Sequence, residues 1–62
     1  MKIKWTNKCS GEQGYVKSLN RKGNYFVNTF DIKEAKSYSE KNVNNIIDLL
    51  EKYCSDNIYQ AV

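Results

Sequence analysis

Residues 15–30 read Tyr15-Val16-Lys17-Ser18-Leu19-Asn20-Arg21-Lys22-Gly23-Asn24-Tyr25-Phe26-Val27-Asn28-Thr29-Phe30. Two runs rich in aromatic and β-branched residues flank the tetrad Asn20-Arg21-Lys22-Gly23. Asparagine suits the first position of a type I turn, and glycine suits the last, where positive φ is wanted. The stretch therefore predicts a β-hairpin with strands from Tyr15 to Leu19 and from Asn24 to Phe30.

Working back from the hairpin, Ser10-Gly11-Glu12-Gln13-Gly14 is a polar connection with two glycines. Before it, residues 2–7 alternate. Ile3 and Trp5 fall on one side and Lys2 and Lys4 on the other, the pattern of a half-buried strand. Working forward, Asp31-Ile32-Lys33-Glu34 fits a capping box, with the aspartate capping the first turn and the glutamate reaching back to the cap N–H. A short helix from Ile32 to Lys36 is expected there. Ser37-Tyr38-Ser39-Glu40 offers a second cap, and the main helix is expected from Glu40 to Cys54. Val43, Ile46, Ile47, Leu50 and Cys54 fall on one stripe facing a core, and Asn44, Asn45, Asp48, Glu51 and Lys52 fall away from it. Ser55-Asp56-Asn57 ends the helix, and Ile58 to Val62 reads as a closing fourth strand.

The predicted fold is α+β. A small antiparallel sheet of three to four strands carries one main helix on one face, in the order βββ(α)αβ. Trp5, Phe26, Phe30, Ile46, Ile47 and Leu50 are the expected core. The 62 residues are read as a single domain, 1–62. A chain of this length buries only about 60% of the surface it exposes when unfolded. Its stability is expected to be marginal, and a homodimer is one way to add to it.

The formal net charge is +3, unevenly spread. Residues 1–30 hold six basic groups against the single acid Glu12, and residues 31–62 hold four basic groups against six acids. Such asymmetry suits an anionic partner and equally suits a solvated lysine-rich surface. No run of 18 apolar residues is present, so no membrane span is expected. The opening Met1-Lys2-Ile3-Lys4-Trp5 lacks the apolar stretch of a signal peptide. A cytoplasmic location is expected, with Cys9 and Cys54 as free thiols.

The chemistry missing from the sequence is informative. There is no histidine, the commonest general base and metal ligand. Two cysteines 45 positions apart do not supply the four ligands of a structural zinc site. Gly11, Gly14 and Gly23 match neither a phosphate-cradling loop nor a dinucleotide fingerprint. Asp48 and Glu51 sit on a polar helix face, without the cleft that raises one carboxyl pKa in a catalytic pair. No catalytic residue, metal or cofactor is expected, and the chain reads as a binding domain.

Three surfaces are candidates. The first is the basic hairpin, with Lys17, Arg21 and Lys22 near its tip and Tyr15, Asn24 and Tyr25 close in sequence. Cations beside aromatics and amides are the material of nucleic-acid recognition by a sheet, and also ordinary hairpin surface. The second is the helix side with Asp48, Glu51 and Asp56, facing a basic groove on a partner protein. The third is the strand Ile58 to Val62, which can pair with another chain if it lies at a sheet edge.

The segments Gly14-Tyr15-Val16-Lys17-Ser18, Arg21-Lys22-Gly23-Asn24-Tyr25-Phe26-Val27 and Asp31-Ile32-Lys33-Glu34-Ala35-Lys36-Ser37-Tyr38 together resemble short proteins of phages and mobile elements of low-GC bacteria. The abundance of Lys, Asn, Ile and Tyr, whose codons are AT-rich, accords with such an origin. The resemblance implies a stoichiometric inhibitor of a bacterial host defence protein or nucleoprotein complex, the role of anti-CRISPR proteins. No anti-CRISPR motif is matched residue by residue. The run Gly23 to Phe30 followed by a capped helix is also similar to the DNA-binding arm domain of phage-type integrases, in which a sheet enters the major groove. A net charge of only +3, with no recombinase domain following, departs from that pattern.

Overall fold

The computed structural model describes residues 1–20 and 25–62. Strands β1 (Ile3–Asn7), β2 (Gln13–Leu19) and β3 (Phe26–Thr29) are followed by a single 3-10 turn at Ile32–Glu34. Helix α1 (Glu40–Tyr53) and strand β4 (Asn57–Ala61) complete the fold. The strands form one antiparallel sheet in the order β3-β2-β1-β4. The expected α+β class and βββ(α)αβ order are those observed. The expected hairpin turn falls on Arg21, Lys22 and Gly23, which lie outside the described residues.

Alternation along β1 sets the two faces of the sheet. Ile3 and Trp5 are buried, whereas Lys4 and Thr6 are half-buried on the reverse. Ile3 is paired with Ala61 and Trp5 with Tyr59 and Gly14. These residues, with Val16, Leu19 and Phe26, form the face that α1 covers through Val43, Ile46, Ile47 and Leu50. The helix packs chiefly against β4. Phe26 of β3 packs against this cluster, and Phe30, just beyond β3, lies outside it.

Gly14 belongs to a strand rather than a loop, because the Trp5 ring lies across it. A Cβ built there would sit 2.7 Å and 2.8 Å from Cζ2 and Cε2 of the indole and 2.4 Å from Asn28 Oδ1. That same Oδ1 accepts the indole N–H at 2.7 Å. The tryptophan is thereby buried with its one donor satisfied. The turn before β2 is shaped by Asn7, whose Oδ1 accepts from the backbone N–H groups of Cys9 and Ser10. Gly11 supplies its positive φ of 75°.

Four expectations need correction. Phe30 is 71% exposed instead of lying in the core, and Phe26, Ile46 and Ile47 only pack against it. Ile3, Val16, Val43 and Leu50 are the fully buried large side chains. Phe30 comes just after β3, where α1 does not reach. The helix expected from Ile32 to Lys36 is one 3-10 turn, since Ala35 is already extended and the Lys36 N–H donates to the Val16 carbonyl. The capping box is also incomplete. Asp31 accepts from the Lys33 N–H at 2.9 Å as expected. Glu34 instead accepts from the Thr29 hydroxyl, and the Asp31 N–H donates to that same hydroxyl. A β-branched hydroxyl two residues upstream outcompetes the glutamate for the cap N–H. Ser39 does cap α1, its Oγ accepting from Asn42 N–H at 3.3 Å.

Candidate functional site

The face of the sheet turned away from α1 is the candidate site. Register places Tyr15 between Lys4 and Thr29 and Lys4 between Tyr15 and Gln60, so one row reads Thr29, Tyr15, Lys4, Gln60. The next row holds Gln13, Thr6 and Ile58. Thr29 is buried at the corner by its bonds to Asp31 and Glu34. Lys2 Nζ donates to the Ile32 carbonyl at 2.6 Å. The link from β3 to α1 thus crosses this corner and leaves the remainder open. Tyr15, Lys4 and Thr6 are half-buried there, while Ile58 and Val27 are 59% and 46% exposed.

Lys17 owes its exposure to a β-bulge. Val16 faces Asn28 and Ser18 faces Val27, so β2 has one residue more than β3 between these pairs, and Lys17 is the unpaired one. Tyr25 precedes β3 and is 59% exposed. Its alternation with Val27 and Thr29 puts it on the open face with Tyr15. Of the six hairpin residues singled out in the sequence, Tyr15, Lys17 and Tyr25 are thus described. Arg21, Lys22 and Asn24 lie outside the described residues.

Lys4 and Thr6 join this surface from outside the three candidates, and Ile58 and Gln60 reach it from the third, the strand Ile58 to Val62. The signal was present in the alternation of residues 2–7, which put Lys4 opposite Trp5. What was missing was the pairing of β1 with both β2 and β4, which carries Lys4 to the centre of the sheet.

The helix-side acids Asp48, Glu51 and Asp56 are all exposed. Glu51 lines an open recess of about 290 Å³ with Lys8, Ser55, Asn57 and Ile58, at the rim of β4. The second and third candidate surfaces are therefore neighbours, and β4 is an edge strand. Cys9 is exposed and Cys54 half-buried, and no disulfide joins them.

Two tyrosines titrate away from their ordinary range. Burial pushes Tyr59 up to about 12, with its hydroxyl donating to the Cys54 carbonyl at 2.7 Å and accepting from Asn57 Nδ2 at 3.2 Å. Burial also raises Tyr38, whose hydroxyl has no hydrogen-bond partner. Both rings serve the core rather than the open face. Among the described residues no three His, Cys, Asp or Glu side chains converge to hold a metal, and no helix is long and apolar enough to cross a membrane.

No family model matches the chain, and no curated protein or solved structure matches it.

Proposed function

We propose that this chain is a non-catalytic phage or mobile-element protein that inhibits a bacterial host defence protein, such as a CRISPR-Cas nuclease, by direct protein–protein contact in the host cytoplasm. One observation carries the reading. The sheet face opposite α1 is left open, with the bulky apolar groups Ile58, Val27 and Tyr25 exposed among Lys4, Thr6, Tyr15 and Gln60. A protein interface needs that mixture, with an apolar and aromatic centre and a polar rim. The uneven charge and the resemblance to small proteins of mobile elements accord with it.

The test is affinity capture from bacterial lysate with the wild-type chain and with a Lys4→Ala/Tyr15→Ala variant, followed by nuclease assays on whatever protein is captured. The expected outcome is one stoichiometric protein partner, inhibited by the wild type and released by the variant. Failure to recover such a partner sinks the reading.

A second reading is nucleic-acid binding by the same face, favoured by Lys4 standing directly across from Tyr15. A cation beside a ring suits a phosphate and a stacked base. It predicts an affinity for DNA or RNA that falls steeply with salt. Absence of any mobility shift at low salt disposes of it.

A further inference from the structure

The edge formed by β3 borders the open face and carries, on its other side, a large apolar group that the fold leaves uncovered. Phe30 is 71% exposed, yet its ring lies 6.4 Å from Trp5. Phe26 lies 6.3 Å from the same indole on the other side of Asn28. Both rings therefore belong to the helix face, Phe26 packed against the core beside Tyr59 and Phe30 beyond it. Tyr25 and Val27 are exposed on the opposite face of this segment. A cluster of exposed apolar groups on one edge is more than scattered surface hydrophobes require.

The backbone there is also unpaired. The Tyr25 carbonyl accepts from Asn20 N–H, which turns Tyr25 toward β2. By alternation, Phe26 and Asn28 aim their N–H and C=O groups away from the sheet. Among the described residues nothing pairs with them, since β3 ends the sheet. Edge strands are commonly blunted by a charge or a proline, and residues 25–30 contain neither.

We propose that this edge pairs with the same edge of a second copy, antiparallel and centred on Asn28, to give a two-fold dimer with one continuous sheet. Self-pairing is favoured over a foreign strand by the symmetry of the segment. A two-fold axis through Asn28 exchanges Phe26 and Phe30, so each Phe30 falls beside the Phe26 of the other copy. Four rings then lie in a row between two tryptophans, and each exposed Phe30 ring is covered. Asn28 meets Asn28 and Val27 meets Thr29, so no like charges stand opposite one another. Helix α1 packs over β4, which is the far end of the sheet, and does not obstruct the approach. The contact is isologous, as a closed homodimer requires.

Sedimentation and light scattering of the full chain, from micromolar to millimolar concentration, test this. The mass is expected to rise from 7.2 kDa toward twice that value. Isotope-filtered NOEs in a mixed labelled and unlabelled sample should connect Phe26 with Phe30 of the other copy. Phe30→Glu places a charge at an exposed position, so the monomer should stay folded while dimerisation weakens by about tenfold or more. Val27→Lys provides an independent variant with the same expectation, and Ile58→Glu on the β4 edge should leave dimerisation unchanged. A monomer at every concentration, a dimer contacting through Ile58 and Val62, or full dimerisation of Phe30→Glu each overturns the proposal.

Discussion

Replacing Gly14 by alanine tests the packing at the centre of the sheet. Gly14 carries no positive φ. On backbone grounds alone, alanine there should stabilise the chain by about 0.4–1 kcal/mol, because it restricts the unfolded state. The structure reverses that sign. The new methyl would sit 2.4 Å from Asn28 Oδ1 and under 3 Å from two indole carbons. Asn28 is exposed and can rotate away, but doing so abandons the indole N–H it accepts at 2.7 Å. An unsatisfied buried donor costs about 1–3 kcal/mol. The indole cannot rotate away so easily, being buried among Phe26, Phe30 and Tyr59. Overpacking of this kind costs about 1–3 kcal/mol more. A total of about 2–6 kcal/mol is a large share of the stability of a domain this small, on the order of 3–9 kcal/mol. The assay is urea unfolding followed by Trp5 fluorescence and by far-ultraviolet circular dichroism. Gly14→Ala should lower the midpoint sharply, with the emission of the sole tryptophan shifted to the red. A variant as stable as the wild type, or more so, refutes the placement of Trp5 over Gly14.

Other substitutions separate the remaining parts of the account. Leu50→Ala should cost about 2–5 kcal/mol, since Leu50 is fully buried on the sheet-facing side of α1. Phe30→Ala, measured at dilution by the same unfolding assay, should cost less than about 1 kcal/mol because most of that ring is already in water. Ser39→Ala removes the α1 cap and should cost about 1 kcal/mol, seen as a lower midpoint with unchanged urea dependence. Tyr59 has a folded pKa of about 12 against an ordinary 10.0. The stability this provides is complete below pH 10 and is lost as the pH rises through 12. Tyr59→Phe should therefore lose about 1 kcal/mol at neutral pH, from the missing bond to the Cys54 carbonyl. It should also show a shallower alkaline decline than the wild type in thermal melts taken across pH 9–12.

Local patterns made most of the elements legible. The helix stripe, the Ser39 cap and the alternation of Ile3 and Trp5 place α1 and β1 within a residue or two of where they lie. Properties that depend on long-range pairing were not legible. Gly14 reads as a loop glycine until β1 pairs with β2 and brings the indole over it. Phe30 reads as core because nothing local shows that the cluster under α1 stops at Phe26. Tyr59 lies in a short apolar segment whose central pairing with Trp5 only the sheet order discloses. The same holds for the candidate site. Tyr15, Lys17 and Tyr25 were singled out as hairpin residues, whereas Lys4, Thr6, Ile58 and Gln60 join them through strand order.

The claim that the open sheet face is the contact surface is tested most directly by site-specific photocrosslinking in bacterial lysate. A photoreactive residue is placed either at Tyr15 on the open face or at Asp48 on the outer side of α1. The account predicts that the probe at Tyr15 captures a single stoichiometric protein, while the probe at Asp48 captures none. Capture from Asp48 with none from Tyr15 contradicts it.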